Sequence, residues 1–499
     1  MAKANRMDRG ARLSRPSRRL AGLLLAGTVL AATPALAQDA TGSDTTAFSQ
    51  RLRTQTDVAS GQEAAATGTD TTPGTTTPVL SAAQQSAIAD EDVTGAIRRT
   101  APDSERLNLA EGSVDDLRRR AADDPYEPTG IRFGTFVLKP SLTQGLGYER
   151  NRSGNTSTSR TFSQTGIRGS LTSDWSRHQL TIDAEGIYQR NISGTGETEP
   201  QVRINGDLRL DLSDDTIANI TGGYAFERES SNDPNAVDGA SVQSGLQTLT
   251  GGVRVTRDFG LIRGTLGTEI QRRTYGSATL SDGSKLDLSD RNYTEATVTG
   301  RIGYEISPAL IPYLEASVGR SFYDDKADSL GYQRSATTLG GRAGVEVDLG
   351  EKLRGDLGVG YEQASFADNR LEAIRALTVD GSVFWSPQRG TDLRLGLQTQ
   401  IEPSTTGGQS GYVSYAANAE LTHELRDNLV ARLSGAYTWR NLPEALGPDQ
   451  NIYLVGTGLT WNINRWLAMT GDVSYELTRQ ARASDTSVTR AGIGLTLRR

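Results

Sequence analysis

The sequence predicts an all-β protein: a transmembrane, antiparallel, up-and-down β-barrel of about 18 strands (16–18), preceded by a disordered N-terminal segment. Three observations predict it. Apolar and polar residues alternate with a period of two from residue 131 to residue 499. Short turns alternate with mostly longer polar connections, and aromatic residues cluster at both ends of the strands. A mean hydropathy of -0.47 agrees with this class, because half of each strand in such a barrel faces a polar lumen.

Residues 1–37 are predicted to be a signal peptide. An apolar stretch at residues 20–33 is followed by Ala35, Leu36 and Ala37, and small residues of the A-x-A type, here Ala35 and Ala37, mark a cleavage site. The basic region before the apolar stretch consists of Arg6, Arg9, Arg12, Arg15, Arg18 and Arg19. We therefore expect the chain to be exported.

Residues 38–125 are predicted to be a disordered periplasmic tether, in which residues 81–99 and 113–122 are candidates for short helices. The segment is rich in Thr, Ala, Gly and Asp. This composition buries too little apolar surface to offset the entropy lost on ordering. Residues 126–499 are predicted to form the outer-membrane barrel.

The strand pattern is clearest in the hairpin at residues 339–362. Its first strand alternates small or aliphatic residues with polar or charged ones, and residues 350–352 turn the chain into a second strand of the same kind. The pattern recurs about 18 times, from a strand at 137–150 to one at 486–498. Most of these strands exceed the nine to eleven residues or so that a tilted strand needs to cross a bilayer.

The connections fall into two classes that alternate along the chain. The short ones are at 174–177, 213–216, 258–260, 307–310, 350–351, 387–390, 426–428 and 464–465. The longer ones include 151–160, 229–242, 276–290, 324–333, 403–410 and 441–450. Short periplasmic turns and longer extracellular loops are typical of outer-membrane barrels. The longest connection has about 15 residues, so no loop is predicted to fold inward as a constriction.

Aromatic residues are predicted to form two interfacial girdles, although aromatic residues also favour strand ends in other β proteins. Beside the short turns lie Trp175, Trp385, Trp461 and Trp466, and near the long loops lie Tyr148, Tyr188, Tyr224, Tyr437, Trp439 and Tyr475.

Alternation also assigns a lumen face, because an Arg on the lipid face near the midplane would cost roughly 2–4 kcal/mol. The predicted lumen-lining residues are Arg203, Asp207, Arg209, Asp211, Arg263, Glu269, Arg273, Glu295, Arg301, Glu305, Arg342, Glu346, Arg354, Asp356 and Arg394. Two interpretations stay open: the ion pairs rigidify the interior, or they select which solutes pass.

The start of the predicted barrel, residues 126–142 with Gly147, Tyr148, Glu149, Arg150 and Asn151, resembles the second putative β-barrel porin family. The resemblance in layout covers residues 130–499. It implies an outer-membrane barrel of a Gram-negative bacterium, and some members are encoded near exopolysaccharide export genes. Many barrels end on an aromatic residue that the insertion machinery reads, whereas residues 495–499 are Leu, Thr, Leu, Arg and Arg.

Composition limits the chemistry. The chain has no Cys, which excludes disulfides and thiolate metal sites, and its only histidines are His178 and His423. We predict no catalytic residues, no metal and no cofactor. A net charge of -7 gives no reason to expect nucleic acid as a partner. The expected partners are outer-membrane lipid and lipopolysaccharide and the barrel-insertion machinery, with a periplasmic or polysaccharide partner as a further candidate.

The predicted function is a non-enzymatic, porin-like channel for passive diffusion of small polar solutes through a charged lumen. One alternative is a non-enzymatic outer-membrane component of surface-polysaccharide export or envelope assembly. A second alternative is an outer-membrane hydrolase that uses His178 or His423.

Overall fold

The computed structural model describes residues 126–231, 233–328 and 330–499. The predicted signal peptide (1–37) and tether (38–125) lie outside the described residues. Within them, no helix has both the length and the apolar character needed to cross a membrane.

Nearly all of the described chain is β-strand. The strands of the main sheet that form the barrel are β2 (Phe136–Ser153), β3 (Thr156–Ser173), β4 (His178–Gly194), β5 (Gln201–Ser213), β6 (Thr216–Arg228), β8 (Gly245–Phe259), β9 (Ile262–Tyr275), β12 (Tyr293–Tyr304), β13 (Leu310–Tyr323), β14 (Ala336–Asp348), β15 (Leu353–Phe366), β16 (Ile374–Gln388), β17 (Thr391–Pro403), β18 (Gly411–Arg426), β19 (Leu429–Asn441), β20 (Gln450–Asn464), β21 (Leu467–Gln480) and β22 (Thr486–Arg498). The remaining elements are short: β1 (Ile131–Phe133), β7 (Ala240–Val242), β10 (Ala278–Leu280), β11 (Lys285–Leu286) and two 3-10 helices, Ser289–Arg291 and Glu444–Leu446.

These strands close into a barrel. Each barrel strand pairs antiparallel with the next one along the chain, and β2 pairs with β22 from Ser141↔Arg498 to Ser153↔Thr486. The result is a closed antiparallel barrel of 18 strands, which confirms the predicted fold class. Closure satisfies the backbone hydrogen bonds that an open sheet edge would leave unpaired, and this is required of a sheet that crosses lipid.

The two faces of the barrel wall have opposite character. Val318 pairs with Val298 on one neighbouring strand and with Leu339 on the other, and these three outward side chains are 46%, 42% and 60% exposed. On the inward face of the same strands lie Glu315 and Arg342, both buried. Aliphatic residues therefore cover the outside and charged residues the inside, the reverse of a soluble domain.

The connections alternate in length, with one departure. At one end, the short-turn end, two to five residues join neighbouring strands; at the other, the long-loop end, most connections have five to seventeen residues. The exception is the β2–β3 connection, so the prediction of a loop at 151–160 was wrong. Both strands run on to a two-residue turn with Gly154 at φ +54°. The stretch around this turn is rich in Ser and Thr and is polar on both strand faces, so it lacks the apolar–polar alternation from which a strand is predicted.

The wall is irregular between β16 and β17. Their pairing starts at the short-turn end and stops at Gly381↔Leu397, before the long-loop end is reached. Beyond that point, the outward residues Ile401 and Val413 of β17 and β18 pack against Ala364 and Ala376, which lie on the inner face of β15 and β16. The tip of the β17–β18 hairpin is therefore folded inside the barrel wall.

Candidate functional site: the charged lumen and its mouth

Most of the predicted lumen-lining residues occupy one side of their strands. Arg203, Asp207, Arg209 and Asp211 alternate on β5 with Val202, Ile204 and Leu212, which are exposed on the outer face. The same alternation places Arg263, Glu269, Arg273, Glu295, Arg301, Arg342, Glu346, Arg354, Asp356 and Arg394 on the faces opposite exposed aliphatic residues, and Glu305 directly follows β12.

Several of these residues join into one ion-pair network, which we call the wall network: Arg263, Arg301, Glu315, Arg342, Glu346, Asp356 and Asp380. Arg301 contacts Glu315 at 2.7 Å and Asp356 at 2.8 Å. Arg342 contacts Glu315 at 2.6 Å and Asp380 at 3.3 Å. Each of these two arginines thus binds two carboxylates, and the network ties strands together that are not neighbours in the sheet.

The wall network lies between mid-height and the short-turn end. Arg263 of β9 reaches Glu346 of β14 at 3.6 Å, three strands away around the wall. Tyr313 donates to Asp356 at 2.8 Å, and the guanidinium of Arg301 lies 3.8 Å from the centre of the Tyr313 ring. Charges of both signs are therefore fixed on one side of the lumen by partners on several strands.

A second buried cluster lies where the barrel closes, and the predicted lumen set missed it. Glu149 of β2 receives hydrogen bonds from Arg160 of β3 at 3.0 and 3.1 Å and from Arg490 of β22 at 2.8 Å. Glu199, from the β4–β5 connection, lies 3.6 Å from Arg490 and 4.0 Å from Arg160. Glu149 lies between the outward-facing Tyr148 and Arg150, so the alternation along β2 would have been enough to predict that its side chain faces the lumen.

The third group, the mouth cluster, consists of Asp233, Asn235, Glu402, Thr405, Tyr412 and Arg440. Arg440 lies 3.4 Å from Asp233, and the Tyr412 hydroxyl donates to Glu402 at 3.0 Å. The backbone N–H of Thr405 donates to the Asn235 side-chain oxygen at 2.9 Å. Tyr412 and Arg440 are each only 1% exposed.

The mouth cluster joins opposite sides of the barrel. Asp233 and Asn235 belong to the β6–β8 connection, while Arg440 is on β19, and β8 and β19 are nine strands apart in either direction around the ring of 18. The β6–β8 connection therefore crosses the lumen at the long-loop end. The prediction that no loop folds inward was wrong, because it considered loop length alone and the β17–β18 tip folds inward to meet the connection.

Two carboxyls in the connections at the long-loop end have raised pKa values: Glu229 in the β6–β8 connection and Glu197 in the β4–β5 connection. Burial raises the pKa of Glu229 to about 7, an effect larger than the opposing attraction of Arg291 at 3.5 Å. Burial likewise raises the pKa of Glu197 to about 7, although Arg228 lies 3.1 Å away. Both groups are therefore harder to ionise in the folded loops than in water.

These raised pKa values predict that the stability of the folded connections depends on pH. A carboxyl whose pKa is raised on folding stabilises the fold most below its ordinary pKa, and this stabilisation is lost as pH rises from about 4.5 to about 7. The loss is on the order of 3 kcal/mol for each carboxyl. Protection of residues 229–244 from hydrogen exchange, corrected for intrinsic rates, should fall between pH 5 and pH 8. The Glu197→Gln/Glu229→Gln variant should lose much of this change, and an unaltered profile would contradict the assignment.

The predicted girdle residues lie at both ends of the strands. Trp175, Trp385, Trp461 and Trp466 lie at the short-turn end and are 39–57% exposed. Toward the long-loop end lie Tyr148, Tyr188, Tyr224, Tyr437, Trp439 and Tyr475. The Tyr437 ring lies 5.1 Å from that of Tyr453, and Trp439 stacks on Tyr415 at 5.2 Å.

The two histidines lie near the short turns. The Nδ1 atom of His178 accepts from the backbone N–H of Asp211 at 3.2 Å, and Nδ1 of His423 lies 2.8 Å from the Thr391 hydroxyl. Neither contact links a nucleophilic serine to a carboxylate as hydrolase chemistry requires. Among the described residues, no group of three or more His, Cys, Asp or Glu side chains is arranged to hold a metal ion.

Comparison with known proteins gives a family match. A family model described as putative beta-barrel porin 2 matches residues 124–499. A search of the curated proteins finds no match.

Several solved structures show a distant likeness to this chain. The chain is 11% identical to OccAB4 of Acinetobacter baumannii, with a TM-score of 0.36, covering 72% of this chain and 98% of that one. For the outer membrane protein opdK of Pseudomonas aeruginosa the identity is 11% and the TM-score 0.35, covering 72% and 99%. For the siderophore receptor PirA of Acinetobacter baumannii the identity is 7% and the TM-score 0.34, covering 72% and 80%.

Proposed function

We propose, from the premise that this chain belongs to the putative beta-barrel porin 2 family, that it is a non-enzymatic outer-membrane channel for small polar solutes. The observation that carries the proposal is the contrast between the two faces of the closed wall. Arg342, Glu315 and Asp380 lie buried on the inside, whereas aliphatic residues such as Val318 are exposed on the outside. A barrel of 16–18 strands or so is wide enough to leave an aqueous channel.

The proposed location is the outer membrane of a Gram-negative bacterium, reached by export through the predicted signal peptide. The short turns would then face the periplasm and the mouth cluster the cell exterior. A solute would pass from the mouth cluster to the wall network along an interior lined by both signs of charge. Such an interior favours polar solutes. A solute that enters displaces water from the charged side chains, and only a polar solute can offer those side chains hydrogen bonds in place of the lost water.

Single-channel recording tests the proposal. The purified full-length protein, first checked for heat-modifiable mobility in detergent, is reconstituted into planar bilayers. We expect discrete, steady current steps from a passive channel. A folded protein that inserts but gives no steps under any condition would contradict the proposal.

The alternative of a surface-polysaccharide export or envelope-assembly component makes the opposite prediction in that recording, because a scaffold need not conduct. The hydrolase alternative predicts turnover of lipid or sugar esters that is lost in His178→Ala or His423→Ala. We expect neither variant to change the conductance, since both histidines lie beside short turns and bond to a strand backbone or a threonine hydroxyl.

A further inference from the structure

The contacts that the β6–β8 connection makes on the two sides of the lumen are chemically different. On its own side, Val237 packs with Ala278 and Leu288 of the neighbouring β9–β12 connection in a small apolar core. Strand β7 within the connection also pairs with β10. On the far side, the contacts of the mouth cluster are polar. Asp233 meets Arg440, and Asn235 meets Thr405 and the Pro403 carbonyl, at 2.9 to 3.4 Å.

This difference decides which side separates more easily. Apolar groups that leave the small core expose hydrocarbon to water, which has a free-energy cost for every residue. Polar groups that leave the far side exchange their partners for water, so the net cost of each contact is much smaller. The connection is therefore anchored beside β6 and β8 and held only by exchangeable bonds at the opposite wall.

The far side of the junction is fixed, so the connection is the part that can move. Backbone pairing between β16 and β17 ends at Gly381↔Leu397, but β18 pairs with β19 from Val413↔Asn441 to Arg426↔Leu429. Ile401 and Val413 of the β17–β18 tip also pack in an apolar cluster against β15 and β16. The tip is therefore a fixed surface from which the β6–β8 connection can separate while the strand pairs of the barrel stay intact.

From these observations we propose that the β6–β8 connection is a gate across the lumen, closed against the β17–β18 tip and β19 by the mouth cluster and opened when these polar contacts release. The proposal rests on the channel function proposed above and adds its regulation. Opening would expose Arg440 and Glu402 to the passing solute. A charged or strongly polar solute competes for the same bonds. It shifts the equilibrium toward the open state by as much as its binding free energy to the open state exceeds that to the closed state.

A disulfide across the gate provides the test. The chain has no cysteine, so Asn235→Cys/Thr405→Cys introduces a single pair. The Thr405 hydroxyl lies 3.2 Å from the Asn235 side-chain oxygen and 3.4 Å from the Asn235 backbone oxygen, so the two residues are in direct contact, as a bridge requires. The matched control, Ser153→Cys/Thr486→Cys, joins two paired residues of neighbouring strands whose hydroxyls lie 3.4 Å apart, and it does not cross the lumen.

We expect oxidation to reduce the open time of the gate variant strongly and reductant to restore it, with no redox effect on the control. Conductance that is unchanged when thiol labelling shows a complete gate disulfide would overturn the gate and leave the channel function standing. Asp233→Asn provides a second measurement. Loss of its charge-assisted contact to Arg440 should raise the ratio of open to closed time on the order of tenfold. If this variant and the wild type both give no current, the channel function and the gate fail together.

Discussion

Arg342→Ala is expected to lower the free energy of unfolding of the barrel by about 3–5 kcal/mol. Arg342 has only 3% of its side chain exposed and binds Glu315 at 2.6 Å and Asp380 at 3.3 Å. Its removal leaves Asp380 without its cation and Glu315 with Arg301 as its remaining cation, and a buried charge that loses its partner costs more than the pair contributed. Unfolding in urea, followed by tryptophan fluorescence of the protein in lipid vesicles, measures the difference.

Two variants give this measurement its controls. Arg209→Ala breaks an ion pair to Asp211 whose side chains are 41% and 36% exposed, so its effect should be within about 1 kcal/mol. Arg342→Lys keeps the charge but cannot reach both carboxylates with a planar fork, so we expect an intermediate loss. If Arg342→Ala cost no more than Arg209→Ala, the wall network would be a set of solvated pairs rather than a structural unit.

Val318→Arg is expected to destabilise the inserted barrel by about 2–4 kcal/mol. Val318 is 46% exposed in the middle of β13, between Val298 and Leu339 on the neighbouring strands. The new guanidinium would point into the apolar band of the bilayer, where no partner and little water are available. The measurement is again unfolding from vesicles, together with the fraction of protein that inserts.

Leu349→Arg is the control for depth. Leu349 is 57% exposed but follows β14 in a short turn, where a charged side chain can reach the headgroups and water. Its cost should be about 0–1 kcal/mol. Equal effects at the two positions would mean that Val318 does not face the lipid core, which would contradict the membrane orientation proposed for the barrel.

Much of this fold is predictable from sequence because strand parity is a local property. Arg342 and Glu346 alternate with Ala343 and Val345, and only a wall with one polar and one apolar face accommodates that pattern. The strand count follows from repeating the same observation. The β2–β3 hairpin was mispredicted because its last residues are polar on both faces, so alternation gives no signal there.

The candidate site was only partly predictable. Parity identifies which residues point inward, yet the pairing of Arg263 with Glu346, three strands apart, depends on the curvature and register of the closed barrel. Asp233 and Asn235 lie in a connection without any periodicity, and nothing near them in the sequence indicates Arg440 or Thr405 as partners. Their sequence separations of about 200 and 170 residues are bridged only because the barrel closes.

The sequence by itself determined that the chain forms a closed β-barrel with an aliphatic outside and a charged inside, because each strand records its two faces in residues that are neighbours along the chain. The tertiary structure decided what fills the mouth: the inward fold of the β17–β18 tip and the crossing of the β6–β8 connection to the opposite wall. Those features depend on where β16 and β17 stop pairing and on which surfaces then meet across the lumen, and no local pattern encodes either.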